Sequence, residues 1–404
     1  MLRFHRWIFI LPACSVVLCL IPAVSAASGD AAAAVATAPS SAAPGVTATA
    51  LPPELQAELD ALLSAGSWNL SNQVRGSLGW RDNVLLSAFA PVERSFVRAE
   101  LESILIRPIG ETWQVVAFLN GDVLRYFSPP AETSGEQQWS LHNEVRWQAL
   151  PSARLAVKGG GYFSDTVVDL SESEVERVVA PTRVRGAYAI ATTQLSLPGQ
   201  LRFDPAFHVR RVDYREYAGD YDEVRAGGRL EWGRPRGAWA IGMGWFDSRR
   251  SYDQRIQFTA GGRALPGTRL RFRQRDGDVR VRFSTGMWSV AATAGRFENR
   301  DEASGYFDYN RKRARLEVGW EGSLWRVSLD AEARRTEYRV QTVGAGIAPP
   351  PRIADDYDLL LRTERDLDER WTLFAEHRWE RSRANEADFS YRANTVLAGV
   401  QRSF

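Results

Sequence analysis

Arginine and carboxylate side chains recur at every second position through much of the sequence. Arg280 and Arg282 share one parity of their segment, as do Arg313, Arg315 and Glu317, and then Arg326, Asp330, Glu332 and Arg334. Arg202, Arg210, Arg225, Arg229, Glu231 and Glu376 fall on the corresponding parity of theirs, with Arg311, Arg362, Arg378, Glu100, Glu102, Glu144, Asp204, Glu364 and Glu380. An extended strand sends alternate side chains to opposite sheet faces, so these residues build one wall of fixed charge. The chemistry of such a wall is the solvation and filtering of ions and polar solutes. Two uses compete. Opposite charges on neighbouring strands can simply pair and stabilise a wet surface. Alternatively the arginines, densest from 202 to 334, form a strip that attracts anions. The matching acids argue against strong anion selectivity.

Other chemistry finds little footing. His142, His208 and His377 lie on three separate segments without metal-ligand spacing. The two cysteines, Cys14 and Cys19, both fall near the N-terminus. The sequence has no nucleophile elbow, Walker loop or zinc motif. Gly159-Gly160-Gly161 lies inside a strand pattern and reads as bending room or close packing rather than a phosphate loop. The expectation is a non-enzymatic chain without catalytic residues, metal or cofactor.

The elements that must hold the charged wall are strands. The chain has 404 residues, 44% hydrophobic, 25% charged and 11% aromatic, with a mean hydropathy of -0.31. This excludes a disordered chain and a bundle of membrane helices, but suits a barrel whose polar interior dilutes its apolar exterior. Arg3 and Arg6, the apolar stretch 7–24 and Val24-Ser25-Ala26 predict a cleaved secretory signal over 1–26. Its removal leaves a chain without cysteine and with acids and bases in balance, giving no support to a nucleic-acid partner. Residues 27–50 read as a flexible linker. Leu55, Leu59, Leu62 and Leu63 share a face of a short amphipathic helix at 51–66, lying at the periplasmic mouth or plugging the pore.

From 67 to 404 the pattern alternates. Ala314, Leu316, Val318 and Trp320 oppose Arg313, Arg315, Glu317 and Gly319; Trp325, Val327, Leu329, Ala331 and Ala333 oppose Arg326, Ser328, Asp330, Glu332 and Arg334. Segments near 67–80, 95–107, 112–127, 137–149, 154–169, 182–197, 201–216, 221–233, 238–252, 269–285, 287–298, 306–320, 324–340, 356–365, 370–382 and 388–404 give about 16 strands, within bounds of about 14 to 18. The region 253–285 is ambiguous, because Asp276-Gly277-Asp278 could turn a small hairpin. Trp113, Trp147, Trp232, Trp239, Trp288, Trp320, Trp325 and Trp371 all lie beside short turns, where an amphipathic ring is stable at the membrane interface. Longer polar connections at 81–95, 128–136, 171–181, 254–267, 299–305 and 342–355 alternate with those turns. Of these, 81–95 and 254–267 are the candidates for folding inward.

The last segment ends in Val396, Ala398, Gly399, Val400 and Phe404, which resembles the assembly signal at the end of outer-membrane barrels; Arg402 departs from the usual apolar residue. Gly79-Trp80-Arg81-Asp82-Asn83 resembles the turn after the first strand in β-barrel porins of Gram-negative outer membranes. The resemblance implies an outer-membrane barrel over 67–404 and carries no functional residue across. The expected fold is all-β: a transmembrane antiparallel up-and-down barrel with a short N-terminal periplasmic helix. The expected function is passive diffusion of small hydrophilic solutes, with export of an anionic polysaccharide or a structural scaffold as the alternatives. Expected partners are outer-membrane lipid, the barrel assembly machinery and a periplasmic protein engaging 27–66.

Overall fold

The computed structural model describes residues 68–404, apart from 131, 170–178, 216, 234–237 and 345–346. The signal, linker and helix expected at 1–66 lie outside the described residues.

Strands follow one another with little else between. They are β1 (Asn69–Arg81), β2 (Arg94–Ile109), β3 (Trp113–Tyr126), β4 (Gly135–Leu150), β5 (Ala153–Asp169), β6 (Val179–Leu197), β7 (Leu201–Tyr214), β8 (Tyr221–Gly233), β9 (Trp239–Tyr252), β10 (Gln257–Phe258), β11 (Ala264–Leu265), β12 (Arg271–Thr285), β13 (Trp288–Asp301), β14 (Tyr309–Glu321), β15 (Trp325–Thr342), β16 (Pro351–Asp366), β17 (Trp371–Ala384) and β18 (Tyr391–Ser403). All but β10 and β11 join one closed barrel, in which every neighbouring pair is antiparallel and β9 pairs directly with β12. That makes 16 barrel strands. The seam is β1 against β18, in register from Gln73↔Ser403 to Arg81↔Thr395. Closure leaves no barrel strand with an unpaired edge, which would otherwise invite aggregation.

The ambiguity over 253–285 resolves in favour of a single strand. Asp276-Gly277-Asp278 runs through the middle of β12, paired on both sides. The hairpin lies instead in the preceding loop, as β10 and β11. Several strands also outrun their expected ends: β13 reaches Asp301, β15 reaches Thr342 and β16 starts at Pro351. The outward positions approaching these ends are charged (Arg296, Glu298, Arg335, Asp355), so the alternation of apolar and polar fades while the backbone ladder continues.

Tight turns gather at one end of the barrel and long loops at the other. At the tight end, backbone N–H groups of Arg370 and Trp371 donate to Asp368 at 2.7 and 2.8 Å and hold its carboxyl below the usual range. This fixes the turn from which Trp371 projects.

The parity of side chains runs consistently around the wall. One face carries Leu78, Leu141, Val145, Ile241, Met243, Val279, Val281, Leu316, Leu361 and Val396, all exposed. At the tight-turn end it carries Trp113, Trp147, Trp232, Trp239, Trp288, Trp320, Trp325 and Trp371. Of these, Trp113 and Trp147 stack at 5.4 Å, and Trp232 meets Trp239 edge-on at 4.8 Å. Trp80, Trp139, Trp245, Tyr357 and Trp379 mark a second level on the same face, roughly 20 Å higher at the rise and tilt of barrel strands. The Trp139 ring lies across Gly121, where an added Cβ would sit 2.3 Å from it. Glycine is therefore required for this outer ring to lie flat.

Candidate functional site

The inner face carries the charge. Its side chains meet across intervening strands, which only the concave side of a closed sheet allows. Arg225 on β8 and Arg313 on β14 both donate to Asp276 on β12, at 3.2 and 2.7 Å, passing over β9 and β13. Arg229 reaches Asp278 at 3.1 Å in the same way. Arg282 spans β9 to Glu231 at 3.6 Å, and Arg280 spans β13 to Glu317 at 3.0 Å. Local pairs fill in between. Arg202 binds Asp204 at 2.9 Å, Arg210 binds Glu223 at 3.0 Å, and Arg315 joins Glu317 and Asp330. Arg326 holds Glu364 and Asp366 at 2.9 and 2.6 Å, and Arg334 lies 3.6 Å from Glu332.

A second network lies around the seam. Arg81 at the end of β1 reaches Glu380 on β17 at 3.2 Å and Glu136 on β4 at 3.5 Å. Arg98 grips Asp122 through two nitrogens at 2.9 Å each and approaches Glu376 on β17 at 4.0 Å. Arg362 joins Glu364 at 2.6 Å and Glu376 at 3.3 Å. The two networks meet at Glu364, which accepts Arg326 at 2.9 Å and Arg362 at 2.6 Å. On the far side of the barrel the inner side of β6 and the loop-end half of β5 are neutral, with Tyr162, Ser164, Thr166, Tyr188 and Thr192, whereas nearer the tight turns Lys158 of β5 lies 3.6 Å from Glu144 of β4. Tyr188 meets His142 of β4 over Gly160, where a Cβ would lie 2.4 Å from the Leu141 carbonyl. Within the glycine run close packing is therefore strict at Gly160, whereas Gly159 has ordinary room for a Cβ, its nearest neighbour 3.8 Å away. His208 sits against Phe246 at 6.0 Å, and His377 points to the opposite face. Among the described residues no group of His, Cys, Asp or Glu is arranged to hold a metal.

Sequence reasoning missed Asp276 and Asp278, both buried acceptors. They share the parity of Arg280 and Arg282, which was the available signal, but Asp-Gly-Asp reads locally as a turn. It also passed over Arg81, Arg98, Asp122 and Glu136, and over Asp358, which accepts Arg378 Nε at 3.1 Å.

Two loops at the long-loop end turn inward. In residues 82–93, Val84 packs with Phe96, Tyr126, Phe374 and Leu397, inner-face residues of β2, β3, β17 and β18. The loop is pinned by the Gly-Trp-Arg-Asp-Asn run. Asp82 accepts the backbone N–H of Asn394 at 2.6 Å. Asn83 accepts the Ser87 N–H at 2.8 Å and donates to the carbonyls of Ser87 and Arg392 at 2.9 Å each. The second loop, 253–270, carries the β10–β11 hairpin. Its Leu270 is buried with Val212, Tyr221, Tyr252, Phe272 and Phe307, and Arg255 lies 4.9 Å over the Tyr252 ring. Asn83→Ala removes a buried anchor with three hydrogen bonds and is expected to destabilise the first loop by about 1–3 kcal/mol. Faster proteolysis within 84–92, with the barrel itself intact, is the measurement that checks it.

Val396, Ala398 and Val400 lie on the apolar outer face of β18, while Gly399 faces inward 2.9 Å from the Phe374 ring by its added Cβ. Arg402 is on the outer face, its guanidinium 5.2 Å over Trp371 and 4.6 Å over Phe404. Its aliphatic stem and planar head thus occupy an aromatic position.

No protein-family model and no curated protein matches the sequence. Solved barrels are similar in arrangement. An anion-selective porin from Comamonas acidovorans matches over 84% of this chain and 99% of its own at 11% identity and a TM-score of 0.45. OccAB3 of Acinetobacter baumannii matches over 84% and 99% at 9% identity and a TM-score of 0.45. A loop-deleted OmpT of Vibrio cholerae matches over 84% and 100% at 11% identity and a TM-score of 0.43. At these scores the likeness carries nothing about solute or selectivity, and function has to be read from this chain's own geometry.

Proposed function

We propose that this chain is an outer-membrane channel through which small hydrophilic solutes diffuse passively along the arginine- and carboxylate-lined inner face. The observation that carries the reading is the division of the closed wall into two chemically opposite faces. An exposed apolar band this continuous is unstable in water and needs hydrocarbon around it. Two aromatic levels roughly 20 Å apart match the edges of a bilayer's apolar zone. A barrel of about 16 strands is wide enough to hold an aqueous path within its charged wall.

The charge pattern favours weak ion preference. Most arginines expected to line the path sit beside a carboxylate, so the local potential largely cancels over a few ångströms; Arg311 instead donates to Thr336 at 3.0 Å. The two inward loops narrow the mouth from opposite sides, and beside them the loop-end half of β5 and β6 adds a neutral stretch of inner wall, with Tyr162, Ser164, Thr166 and Tyr188. Solutes are filtered by size at the mouth and by dipolar solvation along the wall.

Planar-bilayer recording of the folded chain tests this. A steady ohmic conductance with a reversal potential near zero in a salt gradient is the expected result; absence of conductance in chains shown to be inserted overturns the channel reading. Spin labels at Leu316 and Val327 are expected to report hydrocarbon, and an aqueous signal there removes the membrane reading altogether.

A further inference from the structure

We propose that the outer face of β9, β12, β13, β14 and β15, above the upper aromatic level, is a docking surface for the phosphate groups of a phosphorylated outer-leaflet lipid. The proposal rests on the outer-membrane reading above.

The register carries it. Arg273 on β12 lies directly between Arg249 on β9 and Arg300 on β13. Lys312 on β14 lies directly between Arg296 on β13 and Arg335 on β15. Directly opposed residues have their Cβ atoms about 5 Å apart, and like charges so placed are destabilising. Two rows of three cations on one face therefore cost stability unless an anion lies across them. The protein supplies too few. Asp247 is shared by Arg273 and Arg275 at 3.8 and 3.5 Å, and Glu298 by Arg296 and Arg300 at 2.8 and 3.5 Å. Arg300 also lies 3.9 Å from Asp308, and Arg335 has Glu337 at 2.8 Å and Asp355 at 3.7 Å, so five acids face the six cations of the two rows and Arg275. The side chains of Arg296, Arg273 and Arg335 stay 63%, 50% and 49% exposed.

Height decides the occupant. Arg249 is ten residues along β9 from Trp239, Lys312 eight from Trp320, and Arg335 ten from Trp325. At about 3.3 Å per residue and a tilt of about 40°, the cations lie roughly 20–25 Å above the lower tryptophans, the depth of a barrel's apolar band. Below them on the same face are Met243, Trp245 and Val279, all exposed and apolar. An amphiphile fits both levels at once: acyl chains against the apolar residues, phosphate against guanidinium groups, which bind it by paired N–H donors. Free phosphate satisfies only the upper half.

The test is native mass spectrometry on barrels taken from phosphatidylcholine vesicles doped with diphosphoryl lipid A, or with the same lipid after its phosphates are removed. Insertion is scored separately by protease protection. The wild-type chain is expected to retain the phosphorylated lipid selectively. Arg273→Gln/Lys312→Gln, which removes the centre of each row, is expected to weaken retention roughly tenfold or more. Equal retention of both lipids, unchanged retention by the double variant, or full displacement by inorganic phosphate at equal concentration overturns the proposal with the membrane reading intact. Failure to insert overturns both.

Discussion

Leu316→Arg is expected to cost roughly 2–4 kcal/mol of stability in a bilayer, and far less in a detergent micelle that can deform around the charge. Leu316 points outward on β14, is 40% exposed, and is flanked by Ala292 and Ala331 on the neighbouring strands. It lies four residues from Trp320, so roughly 10 Å above the lower aromatic level and near the centre of the apolar band. An arginine there has no carboxylate on its face within reach. Arg315, one residue away, faces inward and is held by Asp330 at 2.9 Å. Moving the positive charge by a single position thus exchanges a paired site for an unpaired one in hydrocarbon. Urea titration of folding into lipid vesicles measures the difference. If Leu316→Arg and Leu316→Ala differ by under about 1 kcal/mol, the outer face does not contact lipid.

Asp276→Ala is expected to lose about 3 kcal/mol and to turn the channel toward anions. Asp276 is buried at 6% exposure and accepts Arg225 and Arg313 from opposite flanks. Its removal leaves two guanidinium groups without their shared acceptor. Asp278 lies 3.9 Å from Arg313 and recovers only part of the loss. The uncompensated charge raises the local potential of the inner wall, which favours anions. Asp276→Asn preserves the shape and an acceptor oxygen, so it should fold better than the alanine variant while shifting selectivity in the same direction. Thermal unfolding followed by heat-dependent gel mobility gives the first effect and the reversal potential in a salt gradient gives the second. A reversal potential unchanged in both variants means that permeating ions do not pass Asp276.

These two substitutions probe opposite faces of the wall, on β14 and β12, and the faces were legible from the chain alone. Strand geometry has a period of two and depends on nothing beyond adjacent residues. Leu316 against Arg315, and Val281 against Arg282, therefore declare their sides locally. The tryptophans declare the tight-turn end by the same local logic. An even number of strands follows from counting alternating segments between turn signals.

The partners of the charges were not legible. Asp276 meets Arg225 and Arg313 only because β9 pairs directly with β12 and the closed sheet curves their side chains toward one another. Nothing within ten residues of Asp276 encodes that, and the local Asp-Gly-Asp run points to a turn. The same holds for Arg81, whose acceptors lie on β17 and β4, and for the inward fold of 82–93 and 253–270, whose buried residues find their cover on distant strands. The cation rows of the outer rim also depend on inter-strand register. Parity along one strand is a property of the chain, whereas alignment between strands is fixed by the stagger at which the whole barrel closes.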